Sequence, residues 1–420
     1  MAKPREPAVG FIFVTLCLMM MGAGIIIPLL PQLVTTFEGG DVAQGSRYYG
    51  LLMSCFAAAQ FVAAPILGSL SDRFGRRRVL LIALAGSAID YVIMGLAPSM
   101  GWLFVARLIS GATAGALATC NAYIADVTPP ERRAQAFGFI GAAFGLGFAV
   151  GPLIGGYLGQ ENFRLPFFVA AGLVGANWLY GALLLPESLP AGHRRPFSWR
   201  RANPVGSLLT LRSFRGVFDM ALMYFIYMLA QMLLQSVWIL YMQNEFGWTS
   251  FQLGLSLAVV GIATAVVQGG FVKRIIAATG ERRGLILGLA VSAAAFSGYG
   301  LVPRGWMVYA VILVGCWGGI AGPASQAIIT RHVPPSEQGG VQGSLSGLSS
   351  LAFILGPLIG AWSFGYCVGP SAVIQLHGIA FYEGSALLLV AIALAMRSFR
   401  IDDRHVPAAA AASQGVAETA

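Results

Sequence analysis

The sequence predicts an all-α membrane protein, with twelve transmembrane helices arranged as two pseudo-symmetric six-helix bundles. Three observations carry that prediction. Only 10% of the 420 residues are charged, against 57% hydrophobic, and the mean hydropathy is +0.74. Twelve apolar segments each approach the length of about 20 residues that a helix needs to cross a bilayer. The second six segments echo the first at an offset close to 205 positions.

The composition leaves too little charge to hydrate the surface of a soluble domain, whereas lipid can cover apolar faces directly. The segments, α1 to α12, fall near 9–34, 46–67, 78–97, 99–125, 134–158, 165–186, 217–243, 252–272, 284–302, 305–330, 340–366 and 377–397. They divide the chain into a first bundle (9–186), a linker (187–216), a second bundle (217–397) and an Ala-rich tail (398–420) expected to be disordered. The first segment is too long for a secretory signal and has no small-residue cleavage site, so it reads as a retained helix. The 54 glycines fit close helix packing in lipid. Five cysteines sit in or near apolar segments without paired spacing, which argues against a disulfide framework or a metal site. No cofactor is implied.

A net charge of +9 could suggest nucleic acid, but the position of the charges decides against it. With the N-terminus in the cytoplasm, 22 of the 26 Lys and Arg fall on the cytoplasmic side; only Arg47, Arg164 and Arg304 face the other, and Arg107 lies within α4. That asymmetry places both termini inside a bacterial inner membrane.

The duplication is visible in motif order. The turns VTPPE at Val127 and HVPPS at His332 are 205 apart, as are the GPLIG runs at Gly151 and Gly356, while GLLMS at Gly50 answers GLSLA at Gly254. A parallel repeat of six helices suits a transporter whose bundles rock around a central site.

The loop after α2 reads Gly68-Ser-Leu-Ser-Asp72-Arg73-Phe-Gly75-Arg76-Arg77-Arg78. Anchoring by positive charge would explain the arginines but not Asp72 or the glycine spacing. Asp126, at the inner end of α4, is placed to meet those arginines. The second-half copy, Gly270 to Arg283, keeps Lys273, Arg274, Arg282 and Arg283 without an acid matching Asp72, so a charge latch is expected on one side only. In α5, Gly147, Gly151 and Gly155 share a face beside Pro152 and Gly156, which allows close approach of another backbone and a bend.

These motifs resemble the major facilitator superfamily: the loop matches its G-x-x-x-D-R-x-G-R-R/K signature, and the α5 run matches the G-x-x-x-G-P-x-x-G-G signature of its antiporters. The run GSAIDYVIM at Gly86, then Arg107, YIADVT at Tyr123, PLLPQL at Pro28, LLPES at Leu184 and GERRGLILG at Gly280 are similar to the tetracycline–proton antiporters. The resemblance implies a loop that latches one conformation, proton coupling and drug export. It covers nearly the whole chain, with departures. The family's acid in α1 falls on Met19, its α8 histidine on Thr264, its α9 aspartate on Ser292, and its α7 glutamine on Met232, beside Gln231. These departures count against tetracycline itself and against a proton path copied from that family.

Charges inside the membrane cost about 2.5–3.5 kcal/mol each at a helix centre, so each needs a partner, water or a function. Asp90 and Arg107 lie about eight residues either side of the turn at Pro98–Ser99, hence at about the same depth on antiparallel neighbours. They are expected to interact, either as a fixed ion pair or with Asp90 carrying a proton. Glu383 is a second proton candidate, alternatively a headgroup-level residue. On α7, Tyr224, Tyr227, Gln231, Gln235 and Trp238 form one polar and aromatic stripe. It reads either as helix packing or, with Asn121 of α4, as a cavity wall for a flat amphipathic compound.

The sequence therefore reads as a monomeric, proton-coupled exporter of a small organic compound, with no enzyme chemistry. An importer on the same fold and a non-transporting receptor remain as alternatives.

Overall fold

The computed structural model describes residues 8–129, 132–190, 192, 194, 217–331, 333, 338–369, 372 and 375–417. The linker expected at 187–216 lies mostly outside these residues, from 195 onward.

Twelve helices long and apolar enough to cross a membrane are present among the described residues. They are α1 (Gly10–Phe37), α2 (Val42–Phe74), α3 (Arg76–Leu96), α4 (Met100–Val127), α5 (Gly141–Leu158) and α6 (Leu165–Leu184), then α7 (Phe218–Phe246), α8 (Ser250–Thr279), α9 (Glu281–Leu301), α10 (Gly305–Arg331), α11 (Val341–Val368) and α12 (Ile379–Ile401). The architecture is the one the hydropathy pattern predicts. Several helices are interrupted where the sequence removes a donor or a side chain. Helix α1 breaks between Ile26 and Leu30 around Pro28. Helix α8 widens to a π-turn at Val267–Phe271, across Gly269 and Gly270, and α10 tightens to a 3-10 turn at Cys316–Ile320, across Gly318 and Gly319.

The helix of α12 continues to Ala417. Alanine has the highest helix propensity, and the run extends a helix already nucleated in the bundle.

Each half packs by the same plan. In the first, α1 lies on α5, α2 on α4 and α3 on α6; in the second, α7 lies on α11, α8 on α10 and α9 on α12. The broad contacts between halves are α2 with α11 and α5 with α8, the same pair exchanged by the repeat. Two caps start the symmetry-related helices α2 and α8. The Asp41 carboxylate accepts from the Ala43 and Gln44 amides, and Thr249 with Gln252 makes a reciprocal capping box.

Candidate functional site

The face where α2 joins α3 and α8 joins α9 carries most of the arginines and is called the basic face; the other is the far face. At the basic face the chain turns on Gly75, whose φ of +100° is open to glycine and strained for other residues. A Cβ there would also meet the Glu187 carboxylate, which would have to swing aside. Arg76 follows as the first residue of α3. Its guanidinium meets Asp72 at 2.6 Å and Asp126 at 3.1 Å, and donates to the Ser71 hydroxyl. Its backbone N–H donates to Glu187 at 2.8 Å. Ser188 donates to Asp126, and Tyr123 donates to the Pro186 carbonyl, so the strand after α6 closes over the network. Gly68, one turn before, accepts from Ser71 through its carbonyl. Arg73 stands apart, exposed, with its guanidinium over the Phe74 ring at 5.0 Å. Among the described residues, Arg76 is the loop arginine that joins these acids.

The second half carries an ion pair of its own at the equivalent place, which the one-sided expectation did not include. Arg331, at the end of α10, meets Glu281, the first residue of α9, at 3.1 Å. Glu281 stands 205 positions after Arg76, and Arg331 stands 205 after Asp126. The repeat keeps the ion pair and exchanges its signs.

The far face holds the close contacts between halves. Gly50 of α2 abuts the Pro357 carbonyl of α11, and Gly254 of α8 abuts the Pro152 carbonyl of α5; a Cβ at either would collide with backbone. Gly156 sits equally close to the Ser250 backbone. The α5 motif thus has two faces. Gly147, Gly151 and Gly155 pack on α1 at Cys17–Ile25, within the first bundle. Pro152 and Gly156 pack on α8, across the bundles. Polar contacts join the same seam: Ser54 donates to the Ile354 carbonyl at 2.6 Å, Gln32 hydrogen-bonds Ser250 at 3.1 Å, and Arg47 lies over the Trp362 ring at 5.9 Å.

Inside the first bundle Arg107 meets Asp90 at 3.4 Å. Asp90 is 0% exposed and Arg107 is 7%. Arg107 also donates to the Met94 sulfur and lies over the Phe56 ring at 5.6 Å. Among the described residues, one Asp90 oxygen and the Arg107 Nε have no hydrogen-bond partner, so the pair is under-satisfied for its burial.

The sequence profile of the Major Facilitator Superfamily matches residues 12–218 and 220–418, one match per bundle. The chain belongs to the Major Facilitator Superfamily. It is a multi-pass membrane transporter and not an enzyme. It is similar to the class C tetracycline resistance protein of Escherichia coli, 38% identical over 90% of this chain and 93% of that protein. It is 35% identical to the class G protein of Vibrio anguillarum, over 90% and 94% of the two chains. Among solved structures, the human organic anion transporter MFSD10 matches with a TM-score of 0.64 and 25% identity, covering 94% of this chain and all, 100%, of that one. The nucleoside transporter NupG matches with a TM-score of 0.77 at 14% identity, covering 93% and 100%, a likeness of fold alone.

In this superfamily member the α7 stripe does not form one surface. Trp238 is buried in the second bundle, donating to Ser256 at 3.0 Å and packed edge-on to Tyr299 at 5.0 Å. Tyr224 is buried between α10 and α11, accepting from Gln326 and Ser349, and Tyr227 packs beside it toward Gly322. Gln231 is half-buried and Gln235 exposed. Packing between helices, one of the two readings of the stripe, holds the three aromatics in this conformation. Asn121 is half-buried on α4. Glu383 is half-buried in α12 and accepts from Ser363 of α11 at 2.8 Å; it lies in the other bundle from Asp90.

Of the three positions where family charges are missing, Thr264 touches the Cys316 thiol at 3.6 Å, and Ser292 is buried against Gly318. Both meet the 3-10 turn of α10. Met19 is half-buried in α1. Sequence reasoning missed Glu187, the Glu281–Arg331 pair, and a buried reciprocal pair between Thr15 and Asn177 at 3.1 and 3.2 Å. The repeat offset, applied to Arg76 and Asp126, points to the second of these. The sequence assigns no partner to the other two, although Glu187 stands in the LLPES run.

Proposed function

We propose that this protein is a proton-coupled antiporter that exports a small amphipathic organic compound by alternating access. The observation that carries the reading is the pair of symmetry-related crossings at the far face. Gly50 on Pro357 and Gly254 on Pro152 let backbones approach without side chains between them, so the seam can seal tightly and part as two rigid surfaces. The charge asymmetry supports a cytoplasmic basic face, with both termini inside and the linker on that side; the state seen is then closed to the outside. Tetracycline resistance proteins as relatives support drug export, and a bacterial inner membrane as its place.

Asp90 supplies the proton site in this reading. It is the one buried membrane acid among the described residues, and Arg107 is close enough to hold its charge when unprotonated. Met19, Thr264 and Ser292 leave the neighbouring family positions uncharged, so a substrate other than tetracycline is favoured. Gln231, Gln235 and Asn121 remain candidate polar contacts for it, and Glu383 a second proton group. The protein works as a monomer, since each chain contains both bundles.

The test is a susceptibility panel of amphipathic drugs in a pump-deficient bacterial host, followed by uptake in inverted membrane vesicles. Asp90→Asn is expected to lose uptake driven by a pH gradient while keeping exchange of labelled for unlabelled compound. Full gradient-driven uptake by Asp90→Asn removes Asp90 from coupling. Accumulation only in right-side-out vesicles makes the protein an importer.

A further inference from the structure

At the basic-face end of α12 the surface is grooved. A cavity of about 420 Å³ is lined by Ala393, Met396, Arg397, Arg400 and Ile401. These residues recur at three- and four-residue spacing, so they form one helix face. The chemistry along that face changes sharply. Leu389 is 59% exposed and Met396 is 43% exposed, forming with Ala393 an apolar track that runs into the membrane. The two guanidiniums stand at its mouth.

Among the described residues the two arginines are only partly engaged. Arg397 reaches Asp219 of α7 at the long distance of 3.7 Å, with its own side chain 69% exposed. Arg400 is exposed and has no acidic partner among the described residues. On the opposite side of the helix, Arg282 lies over Phe399 at 4.9 Å and holds the turn from behind.

We propose that this groove binds an anionic phospholipid of the inner leaflet, with its phosphate between Arg397 and Arg400 and an acyl chain along Met396, Ala393 and Leu389. A phosphodiester takes the forked donors of two arginines at once, and the apolar track continues at the depth where acyl chains begin. Selectivity comes from the arginines: an anionic headgroup brings no cation of its own, whereas the ammonium of a zwitterionic lipid is repelled by the two guanidiniums. The site rests on the charge-assigned orientation of the membrane protein and not on which compound is exported.

The test is native mass spectrometry of the purified full chain in detergent, with added phosphatidylglycerol, cardiolipin, phosphatidylethanolamine or inorganic phosphate. Wild type is expected to retain one phosphatidylglycerol or cardiolipin through mild activation, and Arg397→Gln with Arg400→Gln to retain it about tenfold less. Arg397→Lys with Arg400→Lys keeps the charges and is expected to fall between. The thermal midpoint of wild type should rise with phosphatidylglycerol and stay fixed with phosphate or phosphatidylethanolamine. Four results overturn the proposal: equal anionic lipid retention in the double Gln variant, equal retention of phosphatidylethanolamine by wild type, stabilisation by free phosphate alone, or a dimer that disappears in the double Gln variant, which would make a second copy the occupant.

Discussion

The two basic-face hairpins occupy equivalent places in the repeat, yet they treat their ion pairs in opposite ways. In the second half, Glu281 begins α9 and Arg331 ends α10, so each charge sits at the helix end whose dipole favours it. In the first half the signs are reversed. Arg76 begins α3 and Asp126 lies in the last turn of α4, both against the local dipole. The first half compensates with extra groups. Asp72 adds a second acid to Arg76, and Glu187 places a carboxylate on the α3 amide where the helix wants a negative charge. Burial differs as well: the Arg76 side chain is 11% exposed, that of Arg331 74%. The difference teaches that duplication preserved the contact and left the sign free. The half with the unfavourable sign became a network of several residues, and such a network, once opened, leaves more charges unpaired. A locally unfavourable arrangement held by its surroundings is a mark of a functional device.

The largest expected effect comes from Arg76→Gln. It leaves Asp72, Asp126 and Glu187 clustered without their cation; these acids are partly exposed, so the cost falls below the about 3–5 kcal/mol of breaking a fully buried ion pair from one side. Transport should fall to the background of the empty host, with membrane insertion retained by immunoblot. Arg76→Lys, which cannot span two acids and a hydroxyl, should recover only a minor part. Normal transport by Arg76→Gln would reduce the network to decoration.

The far face should behave differently, because there the two halves are alike. Gly50→Val and Gly254→Val each push a side chain into a proline carbonyl, and each should weaken the closed far face equally. Efflux in both should drop by about tenfold, the cost of roughly 1.4 kcal/mol against closure. A cysteine placed at Ser54 should become reactive to an external thiol reagent in both variants. Unequal reactivity would show that the seam parts at one crossing first. Glu187→Gln is milder than either. It removes the charge that offsets Arg76 at the α3 terminus but keeps an acceptor, a loss of about 0.3–1 kcal/mol. Efflux two- to fivefold lower is expected, measured beside Glu187→Ala, which loses the acceptor too and should be worse.

How much of this was legible beforehand follows from which residues speak through a period. Hydropathy and offset gave twelve helices and two halves, since burial in lipid forces both upon the composition. Asp90 and Arg107 were readable as partners because equal distance from a turn fixes equal depth. The α7 stripe stayed ambiguous for a physical reason: a shared helix face names the residues that look one way, without saying whether lipid, water or another helix lies opposite. Trp238 found Ser256 and Tyr299 there. Glu187 was hidden because its role depends on where the chain returns after α6, a tertiary matter with no local signature.

The smallest expected effect is also the sharpest test of the comparison. Exchanging the second pair, Glu281→Arg with Arg331→Glu, recreates in the second half the polarity of the first. Because Arg331 is largely exposed, the pair contributes only about 0.2–1 kcal/mol. The double variant restores the attraction but sets both charges against their helix dipoles, without a counterpart of Glu187 to offset them. Efflux should therefore stay within about twofold of wild type, measured at low and high ionic strength, and the deficit should shrink as salt screens it. Glu281→Arg alone brings its charge against Arg282, Arg283 and Arg331 and should be worse than the double variant. A loss in the double variant as deep as that of Arg76→Gln would mean that both hairpins are held equally tightly. The contrast between a buried latch and a surface pair would then be wrong.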